Sequence, residues 1–255
     1  MPVIARNLIQ FENNFAMLKI DLHMHTIASG HAFGTFYDVV AEAKRKKMKM
    51  IAITDHGPGD PNSNDRHHFN MGFRRPEIKG LKVLWGCELN LIGPNGDLDL
   101  KESTRNRLDI LLFGMHDLVI KKMDYETATN AMIKALNTPR IKIFTHPHEL
   151  HNIDYDWEKA VRVAIQKGIL IELNLAQLNN VYRNNEVDKL NKIKRMVEIV
   201  KEEKGWLIVN SDAHFVHEIG DDSVLKKYWK ELGLKKELII NNYPKKLETI
   251  LELKK

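Results

Sequence analysis

His23 and His25 stand one residue apart in the run Ile20-Asp21-Leu22-His23-Met24-His25-Thr26, and His31 follows six residues later. On an extended strand alternate side chains share a face. His23 and His25 should therefore point the same way with Asp21 below them, while Leu22 and Met24 enter an apolar layer opposite. Two imidazoles held side by side on a strand make half of a metal site. Polar side chains turned inward are costly unless something coordinates or hydrogen-bonds them. The same residue types recur along the chain: His56 after Thr54-Asp55, Glu88 after Cys87, His116, His146 before Pro147, and Asp212 and His214 in Ser211-Asp212-Ala213-His214. Singly, each could end a strand, cap a helix or sit in a surface ion pair. Their joint placement asks for a common site.

The elements that must position them are short. Apolar runs near 18–24, 50–54, 81–87, 108–114, 141–145, 169–173 and 206–210 read as buried parallel strands. Helical patterns at about 35–48, 125–136, 156–167, 186–204, 223–232 and 244–253 separate or follow them. Thr35 and Asp38 are spaced as a capping pair for the first of these helices. Repeated strand–helix units of this total length suit a closed α/β barrel of one domain, an open doubly wound sheet being the alternative. The ligand-type residues then fall at the C-terminal ends of the strands, which converge on one mouth of such a barrel. Residues 57–80 are polar and broken by Gly and Pro, and read as a functional loop. No Gly-rich phosphate loop follows the first strand, so dinucleotide binding has no support.

Composition bounds the rest. The chain of 255 residues is 43% hydrophobic and 29% charged, an ordinary globular balance. The net charge of +5 invites a nucleic-acid reading, but the lysines are spread along helices and crowd only at the C-terminus. One cysteine, Cys87, forms no intrachain disulfide and suits a reducing compartment. Residues 1–18 are interrupted by polar side chains and read as an extension rather than a signal peptide. No apolar run is long enough to span a membrane, and a cytoplasmic location is expected. The remaining histidines, His67, His68, His148, His151 and His217, lie in loops or beyond the strand ends, and most should be surface residues or support for the site.

A His-rich set with shared carboxylates suits zinc, manganese or iron better than calcium or magnesium. Three divalent ions against two carboxylates would leave about +4, a site for a multiply charged anion such as phosphate. Water on such an ion ionises near neutral pH and attacks as hydroxide.

These motifs resemble the PHP (polymerase and histidinol phosphatase) superfamily: Asp21-Leu22-His23-Met24-His25, Thr54-Asp55-His56, Glu88, His116, Thr145-His146-Pro147 and Ser211-Asp212-Ala213-His214. The run 21–32 with His31, the segment Ala52–Pro58 and Phe69-Asn70-Met71 are similar to its YcdX-type branch. The resemblance covers about residues 19–251. It implies a distorted (β/α)7 TIM-like barrel over 19–255 with a trinuclear metal centre at the C-terminal mouth. His23, His25, Glu88 and Asp212 would hold one metal, Glu88, His116 and His146 a second, and His31, His56 and His214 the third. It further implies a phosphatase acting on a small phosphomonoester through metal-bound hydroxide, and allows a trimer. Asp21 and Asp55 would orient ligand imidazoles through their free ring nitrogens. His68, Arg75, Asn174 and Arg183 are candidate substrate contacts, the arginines because a guanidinium fork matches phosphate. A phosphodiesterase or exonuclease, a histidinol-phosphate phosphatase, and a non-enzymatic metal-binding domain are the alternatives.

Overall fold

The computed structural model describes residues 18–120, 122–149 and 153–253. The 1–18 extension therefore lies outside the described residues except for Leu18. Leu18 belongs to the barrel: it is buried, and its N–H donates to Asp222 Oδ2 at 3.2 Å.

Seven parallel strands run in sequential order: β1 Ile20–Asp21, β2 Met50–Ile53, β3 Lys82–Asn90, β4 Ile110–Gly114, β5 Ile141–Phe144, β6 Leu170–Asn174 and β7 Leu207–Asn210. The helices between them are α1 Phe36–Arg45, α2 Arg66–Asn70, α3 Glu102–Arg105, α4 Tyr125–Ala135, α5 Trp157–Gln166, α6 Leu175–Asn184 and α7 Val187–Glu202. α8 Ser223–Tyr228 and α9 Pro244–Ile250 follow β7. Together they make a nearly closed, distorted TIM-like barrel. The seam between β1 and β7 is held by few bonds: Leu22 N–H donates to Asn210 Oδ1, Asp212 N–H to the His23 carbonyl and His25 N–H to the Ala213 carbonyl, each at 2.9 Å. Asn241 ties the lower seam by donating to the carbonyls of both Ile20 and Val209.

Alternation along the strands builds the interior in two storeys. Ile20, Met50, Ala52, Leu84, Ile110, Leu112, Ile143, Leu170 and Ile208 fill the lower barrel, with Leu247 and Leu251 of the C-terminal segment packed against them. The next inward positions of β3, β6 and β7 are polar and buried: Glu88 and Asn90, Glu172 and Asn174, and Asn210. Parallel strands buried on both faces give no other place for charge, so the polar storey sits at the C-terminal mouth.

Several expectations change. β1 ends at Asp21, and the alternation holds only through Leu22. Leu22 joins Ile20 in the interior while Met24 packs outside with Val39, Ala43 and Ile51. Asp21 therefore does not lie below His23. Its carboxylate accepts the Ser211 and Gly220 N–H groups and braces the turn after β7 instead of an imidazole. β3 runs to Asn90, so Glu88 lies within the strand and not past its end. Residues 57–80 contain α2 and a 3-10 turn at Met71–Arg74. α1 has the expected Thr35/Asp38 capping box.

Candidate metal centre

Glu88 is the hub of the mouth. Its side chain is wholly buried. Oε2 lies 3.2 Å from His23 Nε2, 3.6 Å from His25 Nε2 and 3.0 Å from His56 Nδ1. Oε1 lies 2.9 Å from His146 Nε2 and 3.5 Å from His116 Nε2. Asp212 Oδ1 closes the first side at 3.1 Å from His25 Nε2 and 3.4 Å from His23 Nε2. His214 lies over His25 with ring centroids 4.5 Å apart, and His31 stacks on His214 at 4.8 Å and His56 at 5.1 Å. The nine residues expected at the mouth thus come together, with His31 the exposed member. Three groups of ligand atoms are compact enough for one ion each: His23/His25/Glu88, His56/Glu88/His116 and His25/His56/His214. In the last two His56, rather than His31, supplies the linking nitrogen.

Hydrogen bonds behind the rings decide which atoms face inward. Glu172 accepts from Asn174 Nδ2, Asn210 Nδ2 and the His146 N–H, so His23 Nδ1–H donates to it as well, at 2.8 Å. Ser29 gives its only hydroxyl proton to Asp55 Oδ1 at 2.7 Å, so His25 Nδ1–H donates to Ser29 Oγ. Asn90 gives its amide hydrogen to Asp99, so His116 Nδ1–H donates to Asn90 Oδ1 at 2.5 Å. His214 Nδ1–H donates to the Asp212 carbonyl at 3.0 Å. Each donation leaves the neutral ring's Nε2 lone pair free. With both rings neutral, as a bound cation requires, His23 Nε2, His25 Nε2, Glu88 Oε2 and Asp212 Oδ1 are all acceptors around the first position. His23 Nε2, His25 Nε2 and Glu88 Oε2 lie 3.1 to 3.6 Å from one another, and Asp212 Oδ1 lies 3.1 and 3.4 Å from the two nitrogens. Acceptors this close repel one another unless a metal cation, or in its place a proton on His23, lies among them. Bonds of about 2.1 Å at tetrahedral angles set donor atoms roughly 3.4 Å apart, so the spacing of His23, His25 and Glu88 suits a zinc-sized ion. His56 Nδ1 and Glu88 Oε2 are buried atoms without an aligned hydrogen bond among the described residues, despite their 3.0 Å approach.

The charges behave accordingly. Burial would push Glu88 and Asp212 up, but His23 and the other imidazoles hold both carboxyls well below the usual range. Burial alone would lower His23 and His146; the carboxylates around them raise His23 well above the ordinary value and His146 to about 9. His25, desolvated and facing His56, falls to about 3. Two candidate ligands are also held in the left-handed backbone region, His146 at φ 29° and Asp212 at φ 54°. Such conformations persist only where their surroundings hold them, here the Glu172–His146 N–H and Asn174–Asp212 bonds.

The other expected residues take different places. Asp55 accepts from Thr26, Ser29 and His68, so it reaches His25 only through Ser29. His68 Nε2 is spent on Asp55 at 3.0 Å. Asn174 donates to Glu172 and Asp212 while its Oδ1 caps α6 at the Gln177 N–H, so it fixes the site. Arg75 is not at the mouth. Its guanidinium pairs with Asp109 at 2.6 Å and donates to the carbonyls of Val83 and Gly72, beside the starts of β3 and β4. Arg183, expected in a loop, is an exposed residue of the last turn of α6. Among the remaining histidines, His67 and His217 are exposed, His151 lies outside the described residues, and His148 is buried. Cys87 lies in the outer apolar core, away from the site.

Sequence reasoning missed Glu172, Asn90, Ser29, Asp99 and Asn210. The signal existed for some of them: in Leu170-Ile171-Glu172-Leu173-Asn174 the polar residues fall on the inward phase of an otherwise apolar strand.

The PHP domain profile matches residues 21–231. A probable phosphatase of Caldicellulosiruptor saccharolyticus is 37% identical over 237 residues, covering 92% of this chain and 95% of the relative. A probable phosphatase of Clostridium botulinum is 34% identical over 236 residues with the same coverage. Among solved structures, a histidinol phosphate phosphatase of Lactococcus lactis, complexed with zinc, L-histidinol and phosphate, aligns with a TM-score of 0.59 at 15% identity. It covers 86% of this chain and 95% of that one. At that identity the likeness is one of fold.

Proposed function

The chain belongs to the PHP domain family, and on that premise we propose that it is a metal-dependent phosphatase, a hydrolase of small phosphomonoesters working at three divalent ions. The curated relatives named probable phosphatases support the activity. The donor set supports the cofactor: imidazole nitrogens around shared carboxylates favour zinc, manganese or iron.

His23, His25, Glu88 and Asp212 would hold the first ion, and Glu88 Oε1, His116 and His146 the second. His31, His56 and His214 would hold the third, with His56 close enough to Glu88 to link it to the others. When bound, the ions supply a hydroxide nucleophile at neutral pH and positive charge for the phosphoryl oxygens. The chain's own residues do the positioning. Glu172 fixes the tautomer of His23 and the backbone at His146. Ser29 and Asp55 fix His25, Asn90 and Asp99 fix His116, and Asn174 fixes Asp212. Because these groups are already hydrogen-bonded, little reorganisation is left for the moment of reaction.

The observation that carries this reading is the buried cluster of His23, His25 and Glu88 ligand atoms at the first position, with Asp212 beside both imidazoles. The test is metal content by mass spectrometry alongside phosphate release, for the wild type, His56→Ala and Asp212→Ala. The wild type should carry three ions and turn over, and each variant should lose metal and turnover while staying folded. Wild-type rates in both variants at full metal content would overturn the assignment.

A further inference from the structure

Beside the metal-facing histidines the mouth carries two large aromatic rings in solvent. Phe33, two residues after His31, is 65% exposed, and Phe215, next to His214, is 45% exposed. Their rings stack with centroids 4.6 Å apart at 12°. The pairing is built into the backbone. Phe33 N–H donates to the His214 carbonyl at 2.8 Å, joining the loop after β1 to the loop after β7, and Ile27 N–H donates to the Gly34 carbonyl at 2.8 Å, closing the first loop on itself. Gly34 makes the approach close: a Cβ there would fall 2.6 Å from Val216 Cγ1. Leaving two phenyl rings and the 60%-exposed Ile27 in water is unfavourable and marks a contact surface.

We propose that the Phe33–Phe215 pair is a platform for a flat aromatic ring in the organic part of the substrate, so that the enzyme favours phosphomonoesters carrying a nucleobase or aryl group. The inference rests on the phosphatase reading and adds a substrate class to it. Its ground is continuity with the site: Phe33 and Phe215 follow His31 and His214 in the chain and Phe33 is bonded to the His214 backbone, so a substrate whose phosphoryl group reaches those imidazoles has the ring pair beside its remaining atoms. Stacking on phenyl faces tolerates any flat ring, whereas a polyol gains nothing there.

The direct test compares adenosine 5′-monophosphate with ribose 5-phosphate, which present the same scissile bond with and without a base. Phenyl phosphate against glycerol 3-phosphate asks whether a simple aryl ring suffices. In metal-loaded wild type the ring-bearing esters should show a KM lower by about five- to tenfold, the scale of one exposed stacking contact. A Phe33→Leu/Phe215→Leu protein, which keeps apolar area but removes the π faces, should lose that ratio. Adenosine binding, followed by ligand-observed NMR, gives a readout without turnover, and it should weaken in the same variant. Equal KM values across each wild-type pair would overturn the platform, as would a preference that survives the double substitution. A double variant that changes only the oligomeric mass would assign the rings to contact between copies and would also overturn it. If no monoester is hydrolysed but adenosine binding still depends on the two rings, the platform stands and the phosphatase reading fails.

Discussion

His23 Nδ1 lies 2.8 Å from Glu172 Oε1, and neither side chain reaches solvent. Glu172 also accepts from two asparagine amides and the His146 backbone, so one carboxylate orients parts of two expected metal sites. Glu172→Gln keeps the shape but removes the charge and puts an amide where an acceptor is needed. Metal affinity should fall by about 10- to 100-fold, the usual scale for such outer partners. Competition with a metallochromic chelator measures this; unchanged affinity would show that Glu172 only fills space.

Protons and metal compete for the same atoms. In chelator-treated protein His146, raised to about 9, and His23, raised well above the ordinary value by the carboxylates around it, bind protons at pH 7.5. A raised folded-state pKa stabilises the fold below the ordinary histidine value of about 6.5, and that stability is lost as pH rises through about 9. Metal loading at pH 7.5 should therefore release protons, seen as a calorimetric heat that changes with the buffer's ionisation enthalpy. The release should shrink above pH 9. Heats independent of buffer would contradict the assignment.

Gly57 passes so near Asp99 that a Cβ would fall 2.2 Å from its Oδ2. Asp99 holds Asn90, which holds His116. Gly57→Ala should cost about 1–3 kcal/mol in thermal unfolding through overpacking, and it should loosen metal at His116. An unchanged melting temperature would mean that the loop shifts freely.

Arg75 pairs with half-buried Asp109 beside the strand starts. Arg75→Ala should lower stability by roughly 1 kcal/mol and leave KM for phosphate esters unmoved. A raised KM would return Arg75 to substrate binding.

The barrel and its mouth were legible in the sequence because both follow from periodicity. Apolar runs mark buried parallel strands, and ligand-type residues such as His56 and His146 stand where those runs stop. What escaped depends on where regular structure ends. Asp21 was expected beneath His23 because alternation was extended past a strand that closes at Asp21. α6 went unread because Leu175–Asn184 is rich in asparagine, a poor helix former; its start is set by the Asn174 cap and its packing by buried Leu175, Leu178 and Val181. Residue type and a place between strands point to Arg75 and Arg183 as phosphate contacts, but neither says which way a loop turns. Ser29 and Asn90 acquire their roles only through a neighbour's ring nitrogen, which no local pattern records.

The central claim is hydrolysis of a phosphomonoester that depends on the metal centre. The measurement that tests it most directly is phosphate release from an aryl phosphomonoester against cleavage of the matching diester, before and after chelation. Monoester turnover should be faster, abolished by chelation and restored by zinc or manganese. Faster diester cleavage, or turnover indifferent to chelation, would contradict it.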